Sequence, residues 1–500
     1  MSSVLERRGS ATPREIVAKN RLLILGAVAF VLVLGGWMIY AFTQPTSSTL
    51  WPVDLGVYRD GGLIVRHLSP YDAQLASKPF PLYDWTGPGN LNFTYTPFAA
   101  LFFAAVSFIP WSVLPRIVEV ANLIFLFIAA WCTMGGLGYR DRRVRLGGAL
   151  LGVAAGLLTE PVFRTLYLGQ INLLLMAAII WDLRQPETRR FKGIATGLAA
   201  GIKLTPLVFI PYLLLTRKFR AAAVATGSFA FTVVLGFLIL PRDSKAWWLN
   251  GLFISDGRTG FVGWTGNQSL RAIVTRVAGS IDSGTVPWVV LALVATVVGL
   301  LAAAQLDRAG HAMLGLLTAA LVGLLDSPIS WDHHWVWVVP GMMVAGHYAV
   351  RAWQAGRRPA ALWCSGLIVA LLLIFAPWPG NLWGVHNTGP GNFTQGLIWD
   401  GPYTPVKVYV AKGDLPYFLE YHWTALQDLA GNAYILSGIA LLVLLAIVAL
   451  RSRREGDRSQ GDRDLPSDAT AQTSTDGATA PTSSDDATAQ TSTDAVARPA

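Results

Sequence analysis

Six short polar stretches interrupt an otherwise apolar chain. Asp54 opens Asp54-Leu-Gly-Val-Tyr58. Tyr95 lies in Thr94-Tyr-Thr-Pro97. Arg164 precedes Gly169-Gln-Ile-Asn172, which carries Gln170 and Asn172. Lys203 opens Lys203-Leu-Thr-Pro206. Asn267 and Gln268 stand in Gly266-Asn-Gln-Ser-Leu270, with Arg271 next. Trp331, Asp332, His333 and His334 close the run that begins at Ser327-Pro-Ile-Ser330. Ionisable and amide side chains at membrane depth are costly and mark sites of function by default. The inventory suits one kind of reaction. A carboxylate such as Asp54 can take the proton from an attacking hydroxyl. Lys203, Arg164 and Arg271 can stabilise charge that develops on a phosphate leaving group. Gln170, Asn172, Asn267, Gln268 and Asp332 can hydrogen-bond sugar hydroxyls, and Tyr58, Tyr95 and Trp331 can stack on sugar faces. A phosphate leaving group needs no strong acid. One carboxylate therefore suffices where an inverting glycosidase uses two. The residues describe glycosyl transfer from a lipid-phosphate sugar.

Each element also has a plainer reading. Asp54 could cap a juxtamembrane helix. Gln170 and Asn172 could be interhelical hydrogen-bond glue. Lys203 could snorkel to the interface, although it sits beside a helix break, where irregular backbone lines cavities. Adjacent histidines diverge on a helix, so Asp332-His333-His334 is an awkward metal site. No metal or cofactor is expected. No phosphate-cradling loop or dinucleotide fingerprint occurs, which leaves nucleotide-sugar use unsupported.

The elements that must position these residues are membrane helices. Hydrophobic residues make up 53% of the 500-residue chain and charged ones only 14%, against about 25% charged in soluble domains. A spanning helix needs roughly 20 apolar residues. Leu22–Phe42 is such a run and reads as a retained anchor rather than a signal peptide. Further runs are Ala121–Tyr139, Leu146–Leu158, Thr165–Trp181, Ala221–Leu240, Val286–Ala304, Ala309–Leu325, Trp335–Val350, Pro359–Ala376 and Ala433–Leu450. Pro97–Pro115 is interrupted by Pro110, and Gly193–Leu215 breaks at Lys203–Pro206 into two short helices. The expected fold is an all-α polytopic membrane protein with about 10–13 transmembrane helices. Its catalytic domain would span residues 22–450, between a basic cytoplasmic stretch over 1–21 and a disordered acidic tail over 451–500. The tail repeats DATAQTSTD at Asp468–Asp476 and Asp486–Asp494, a composition that cannot bury a core.

Charge sets the orientation. From Glu455 onward the chain carries nine acidic and three basic residues, a net −6 against +15 for the rest. Excess Lys and Arg mark cytoplasmic loops. Here they cluster at Arg7–Arg21, Arg140–Arg145, Arg184–Lys192, Arg217–Arg220, Arg351–Arg358 and Arg451–Arg458. Both termini then lie inside. The three long loops, 43–96, 241–285 and 377–432, fall outside, together with all six polar stretches. An odd net number of crossings is needed between Phe42 and Arg140. Pro97–Pro115 is therefore either short of a span or part of one broken crossing. No interleaved basic and aromatic patch points to nucleic acid. The two cysteines, Cys132 and Cys364, exclude a disulfide framework.

In this order, the six motifs resemble glycosyltransferase family 87, a GT-C-type family of actinobacterial membrane enzymes, over roughly Asp54 to Val350. The resemblance is greatest to its polyprenyl-phosphate-mannose-dependent α-1,2-mannosyltransferases. It implies inverting transfer of mannose to a phosphatidylinositol mannoside, lipomannan or lipoarabinomannan. It also implies an active site on the periplasmic face of the plasma membrane. Asp54 would be the base, and His333 or His334 would hold the phosphate or a sugar hydroxyl. Thr96-Pro97-Phe98 departs from the two prolines many relatives carry there, which bears on helix entry rather than chemistry. Arabinofuranosyl transfer from a lipid-phosphate donor is the alternative within the enzyme class. A lipid-linked sugar flippase would carry internal repeats and polar groups at the midplane, and neither pattern is evident. A non-catalytic receptor would leave Lys203 and Asp54 unexplained.

Overall fold

The structure is a computed structural model. It describes residues 13–43, 52–67, 81–87, 91–255, 258–378, 395–400 and 423–461. Residues 1–455 form one compact unit and 456–500 a second, described as far as Gly461. Of the expected disordered tail over 451–500, residues 451–461 instead continue a helix that begins at Ala433, and the rest lies outside the described residues. So do the first twelve residues and much of the loops over 43–96 and 377–432.

The chain is an all-α polytopic membrane protein. Six helices are long and apolar enough to cross a bilayer: within α1 (Pro13–Thr43), α4 (Leu114–Gly136), α10 (Phe219–Ile239), α12 (Ile281–Arg308), α15 (Arg358–Phe375) and within α17 (Ala433–Gly461). A seventh span arises if α5 (Arg142–Leu157) and α6 (Glu160–Leu168), bent by 76°, count as one. Shorter helices complete the bundle: α2 (Val53–Val65), α3 (Pro97–Val106), α7 (Asn172–Leu183), α8 (Ile194–Ile202), α9 (Phe209–Leu215), α11 (Leu270–Ala278), α13 (Ala312–Asp326), α14 (Val338–Gln354) and α16 (Ala425–Gly431). Among the described residues the β-structure is a ribbon of two-residue strands, Pro377–Trp378 against Gln395–Gly396. Leu32, Leu238 and Leu293 on α1, α10 and α12 stay exposed. Such apolar surface suits lipid rather than water.

Sequence details explain where the helices stop. Thr96 caps α3 by accepting the Ala99 N–H, and its hydroxyl donates to the Gly201 carbonyl. The ten residues of α3 rise about 15 Å, half the hydrocarbon thickness. Asp182 binds the Gly193 and Thr196 N–H groups and so starts α8. The break at Lys203–Pro206 is present: α8 ends at Ile202 and a 3-10 turn over Thr205–Val208 follows. α1 packs closely on α5, because a Cβ at Gly147 would fall 2.6 Å from the Leu22 carbonyl oxygen.

Two expectations change. The run Thr165–Trp181 is two helices, α6 and α7, rather than one span. Gly169 ends α6 in the left-handed region (φ 70°), and a Cβ there would strike Leu55. The expected loop over 43–96 contains a helix, α2, whose buried residues include Leu55, Val57, Tyr58 and Leu63.

Candidate active site

Four non-contiguous pieces meet around Asp54: the first turn of α2, the α6–α7 joint, the Lys203 break and the 3-10 turn Asp332–Trp337 that leads into α14. Gly169 lets the joint press against Leu55. The Gln170 side chain then spans the gap and donates Nε2–H to Asp54 Oδ2 at 2.6 Å. Its Oε1 accepts from the Tyr58 hydroxyl at 2.6 Å, and the Tyr95 hydroxyl lies 2.7 Å from that of Tyr58. Asn122 on α4 donates to the Gln170 carbonyl at 2.9 Å. Gln170, Tyr58 and Tyr95 thus form one chain of hydrogen bonds that orients the carboxylate. Burial pushes the Asp54 carboxyl up. His333, the Gln170 bond, Arg164 and Lys203 pull against it without cancelling it.

The opposite wall is built on Asp332. Its Oδ1 accepts from the His333 backbone N–H at 2.8 Å and from His333 Nδ1 at 2.9 Å. Its Oδ2 accepts from Arg164 Nε at 3.0 Å. Burial alone would raise this carboxyl, but Arg164 and His333 outweigh it and hold it well below the usual carboxylate range. Arg164 also lies 3.7 Å from Glu160. Glu160 is fully buried and accepts from Trp399 Nε1 and the Tyr434 hydroxyl.

The two histidines differ. His334 Nδ1 accepts the Trp331 N–H at 3.1 Å, so the ring hydrogen of the neutral imidazole belongs on Nε2. Nε2 is 2.8 Å from Lys203 Nζ. This contact is a hydrogen bond when Lys203 is the free amine. Lys203 also donates to Asn172 Oδ1 at 3.1 Å, and Asn172 Nδ2 donates to the His333 carbonyl at 2.9 Å. Both nitrogens of His334 are therefore engaged. His333 Nε2 is buried and has no partner among the described residues. Below Lys203 and His334 a cavity of about 50 Å³ turns apolar, lined by Met176, Phe209 and Trp337.

The remaining sequence-derived candidates stand further out. Asn267 bonds the carbonyls of Val262 and Pro328 and the Ser330 N–H. Gln268 bonds the Thr265 and Gly431 carbonyls. These two residues stitch the loop before α11 to the Ser330–Asp332 segment and to the start of α17. The Trp331 ring meets Trp264 edge-on at 5.5 Å, and Trp264 meets Trp399 at 5.2 Å. The result is an aromatic wall. The Arg271 guanidinium lies over the Trp288 ring.

Sequence reasoning missed Glu160, Asn122, Arg276 and Trp399. Glu160 follows Thr159 at a helix start and reads as an ordinary first-turn acid; only the fold buries it. Arg276 donates to three carbonyls of the 263–267 loop and to Asn432 Oδ1. An arginine inside a predicted external loop carried no signal of that task.

Comparison with known proteins places the sequence in a family. The sequence profile of glycosyltransferase family 87 matches residues 93–328. A protein of Mycolicibacterium smegmatis, named as a polyprenol-phosphate-mannose-dependent α-(1-2)-phosphatidylinositol pentamannoside mannosyltransferase, is 32% identical over 377 residues, which is 74% of this chain and 86% of its own. The chain belongs to glycosyltransferase family 87. A Mycobacterium tuberculosis protein, named as a polyprenol-phosphate-mannose-dependent α-(1-2)-phosphatidylinositol mannoside mannosyltransferase, is 34% identical over 58% of this chain and 68% of its own length. A second M. smegmatis protein with that name is 26% identical over 89% of this chain and 92% of its own. No solved structure matches the chain. As a family 87 member this protein is a glycosyltransferase embedded in a membrane. The profile begins after Asp54 and ends before His333, so those two residues stand on the geometry above.

Proposed function

We propose that the protein transfers mannose from polyprenyl-phosphate-mannose to a phosphatidylinositol mannoside or a longer lipid-linked mannan. The reaction forms an α-1,2 linkage on the periplasmic face of the plasma membrane, with both termini cytoplasmic. Asp54 takes the proton of the acceptor hydroxyl. That oxygen attacks the anomeric carbon from the side opposite the phosphate. The carbon–oxygen bond to phosphate breaks and its electron pair leaves with the lipid phosphate, so a β-mannosyl donor gives an α-mannoside. Lys203 meets the phosphate, since its amine sits where polar cavity turns apolar and gains a proton as the anion arrives. His333 Nε2 is the free imidazole nitrogen and is the one offered to the phosphate or a sugar hydroxyl. His334 orients Lys203. Arg164 acts through Asp332, which fixes the His333 ring.

The observation that carries this reading is the placement of a half-buried carboxylate, Asp54, in one polar cluster with Lys203 and the unpartnered His333 nitrogen. The names of the relatives support the donor and acceptor. The test is purified protein in lipid with radiolabelled polyprenyl-phosphate-mannose and phosphatidylinositol mannosides of graded length, followed by linkage analysis. An α-1,2-mannosylated product is expected. Transfer only from a polyprenyl-phosphate arabinofuranose would replace the mannosyl reading.

A further inference from the structure

Arg142, Arg145 and Arg184 gather at the end of the bundle away from Asp54. α4 carries Asn122, which reaches the Gln170 carbonyl, and ends beside these arginines at Gly135 and Gly136. The thirteen residues from Asn122 to Gly135 separate the two places by about 20 Å at the helical rise. Over Gly135 two guanidinium groups converge. A Cβ at that glycine would stand 2.8 Å from Arg145 Nη2 and 3.0 Å from Arg184 Nη1. Arg145 is held in place by a bond from Nε to the Trp131 carbonyl at 2.9 Å and by stacking over the Trp131 ring at 4.1 Å. Arg184 Nε is buried with no partner among the described residues, although the Arg184 side chain also bonds the Cys132 thiol.

Like charges brought together repel unless an anion sits between them. No carboxylate among the described residues makes an ion pair with Arg142, Arg145 or Arg184. The nearby acids have other bonds. Asp141 caps α5 through the Arg143 and Val144 N–H groups, Asp182 binds Gly193 and Thr196, and Glu187 pairs with Lys192. Against the same tryptophan lies an open groove of about 350 Å³ lined by Phe127, Ile128, Trp131, Leu146 and, at its rim, Arg142. A cationic rim on an apolar groove, on helices that cross a membrane, matches a ligand with an anionic head and a hydrocarbon chain.

We propose that this groove binds one anionic glycerophospholipid. Its phosphate lies among Arg142, Arg145 and Arg184, and an acyl chain runs along Phe127, Ile128 and Leu146. The lipid neutralises the arginines and ties α4, α5 and the end of α7 together. This does not rest on the mannosyl reading.

The test uses the full chain in neutral detergent. Binding of phosphatidylglycerol, phosphatidylcholine and inorganic phosphate is compared by native mass spectrometry and by the melting temperature. The variants are Arg142→Gln/Arg145→Gln/Arg184→Gln and, as a control on another basic loop, Arg357→Gln/Arg358→Gln. Retention of one phosphatidylglycerol and a rise of several degrees are expected for the wild type and the control, with at least tenfold weaker binding in the triple variant. Arg145→Lys/Arg184→Lys, which keeps the charge, guards against misfolding of the triple variant and should retain at least partial binding. Equal retention of phosphatidylcholine, equal protection by inorganic phosphate, or undiminished binding by the triple variant would overturn the proposal.

Discussion

Asp54 and Asp332 are the same side chain in one polar cluster, placed under opposite conditions. Asp332 is buried and accepts from two His333 groups and from Arg164, so it is a fixed anion at every working pH. Asp54 is half-buried, takes a hydrogen bond from Gln170 on one oxygen, and is raised by burial. A general base works best when its pKa lies near the operating pH. Two carboxylates pushed apart by environment identify which one moves the proton. In the proposed mechanism Asp332 builds the wall and Asp54 does the chemistry.

The largest effect should come from Asp54→Asn. Loss of a general base costs about 10²–10⁴ in kcat. The same change should leave the melting temperature unchanged or raise it. A carboxyl whose folded pKa is raised loses stability as pH climbs through that pKa, so a neutral isostere removes a cost. Asp332→Asn should do the reverse. A depressed folded pKa contributes stability above the unfolded pKa that is lost as pH falls. Leaving Arg164 without this partner costs about 3–5 kcal/mol, although Glu160 at 3.7 Å will soften that. Thermal unfolding of the two variants in one detergent would show whether the contrast holds.

His333→Gln should slow turnover about 10–100-fold, the worth of one charge-assisted hydrogen bond at roughly 1.4 kcal/mol per decade. His334→Gln should act instead through Lys203 and raise the donor KM. Equal effects on kcat from both would erase the distinction drawn between the histidines. The smallest effect is a shift in pH dependence. With Asp54 as the proposed base, the ionised form is the active one, so the rate should fall as pH drops through its raised pKa. The Gln170 bond lowers that pKa. In Gln170→Ala the acid limb should therefore move to higher pH, as a rate profile would show.

Much of this site was legible in the sequence because polar residues inside a lipid-soluble chain are conspicuous. Asp54, Lys203, Gln170, Asn172 and His333 stood out for that reason, and the broken helix at Lys203 followed from its proline. The division of labour was not legible. Gln170 and Tyr58 could be sugar ligands or supports until their bonds to Asp54 and to each other were seen. Asn267 and Gln268 read as sugar binders, yet their amides hold backbone carbonyls of neighbouring loops. The two adjacent histidines could be separated only by geometry, since the Trp331 N–H and Lys203 engage both ring nitrogens of His334 while His333 Nε2 has no partner among the described residues. Helix α2 escaped because three glycines and two aspartates in Val53–Val65 diluted its apolar pattern.

The most direct test of Asp54 as the base is a single-turnover measurement on Asp54→Asn with polyprenyl-phosphate-mannose already bound, alongside a donor-binding isotherm. The expected result is donor affinity close to wild type with transfer slowed by about a hundredfold or more. Wild-type transfer from the variant, or a loss explained wholly by weaker donor binding, would contradict it.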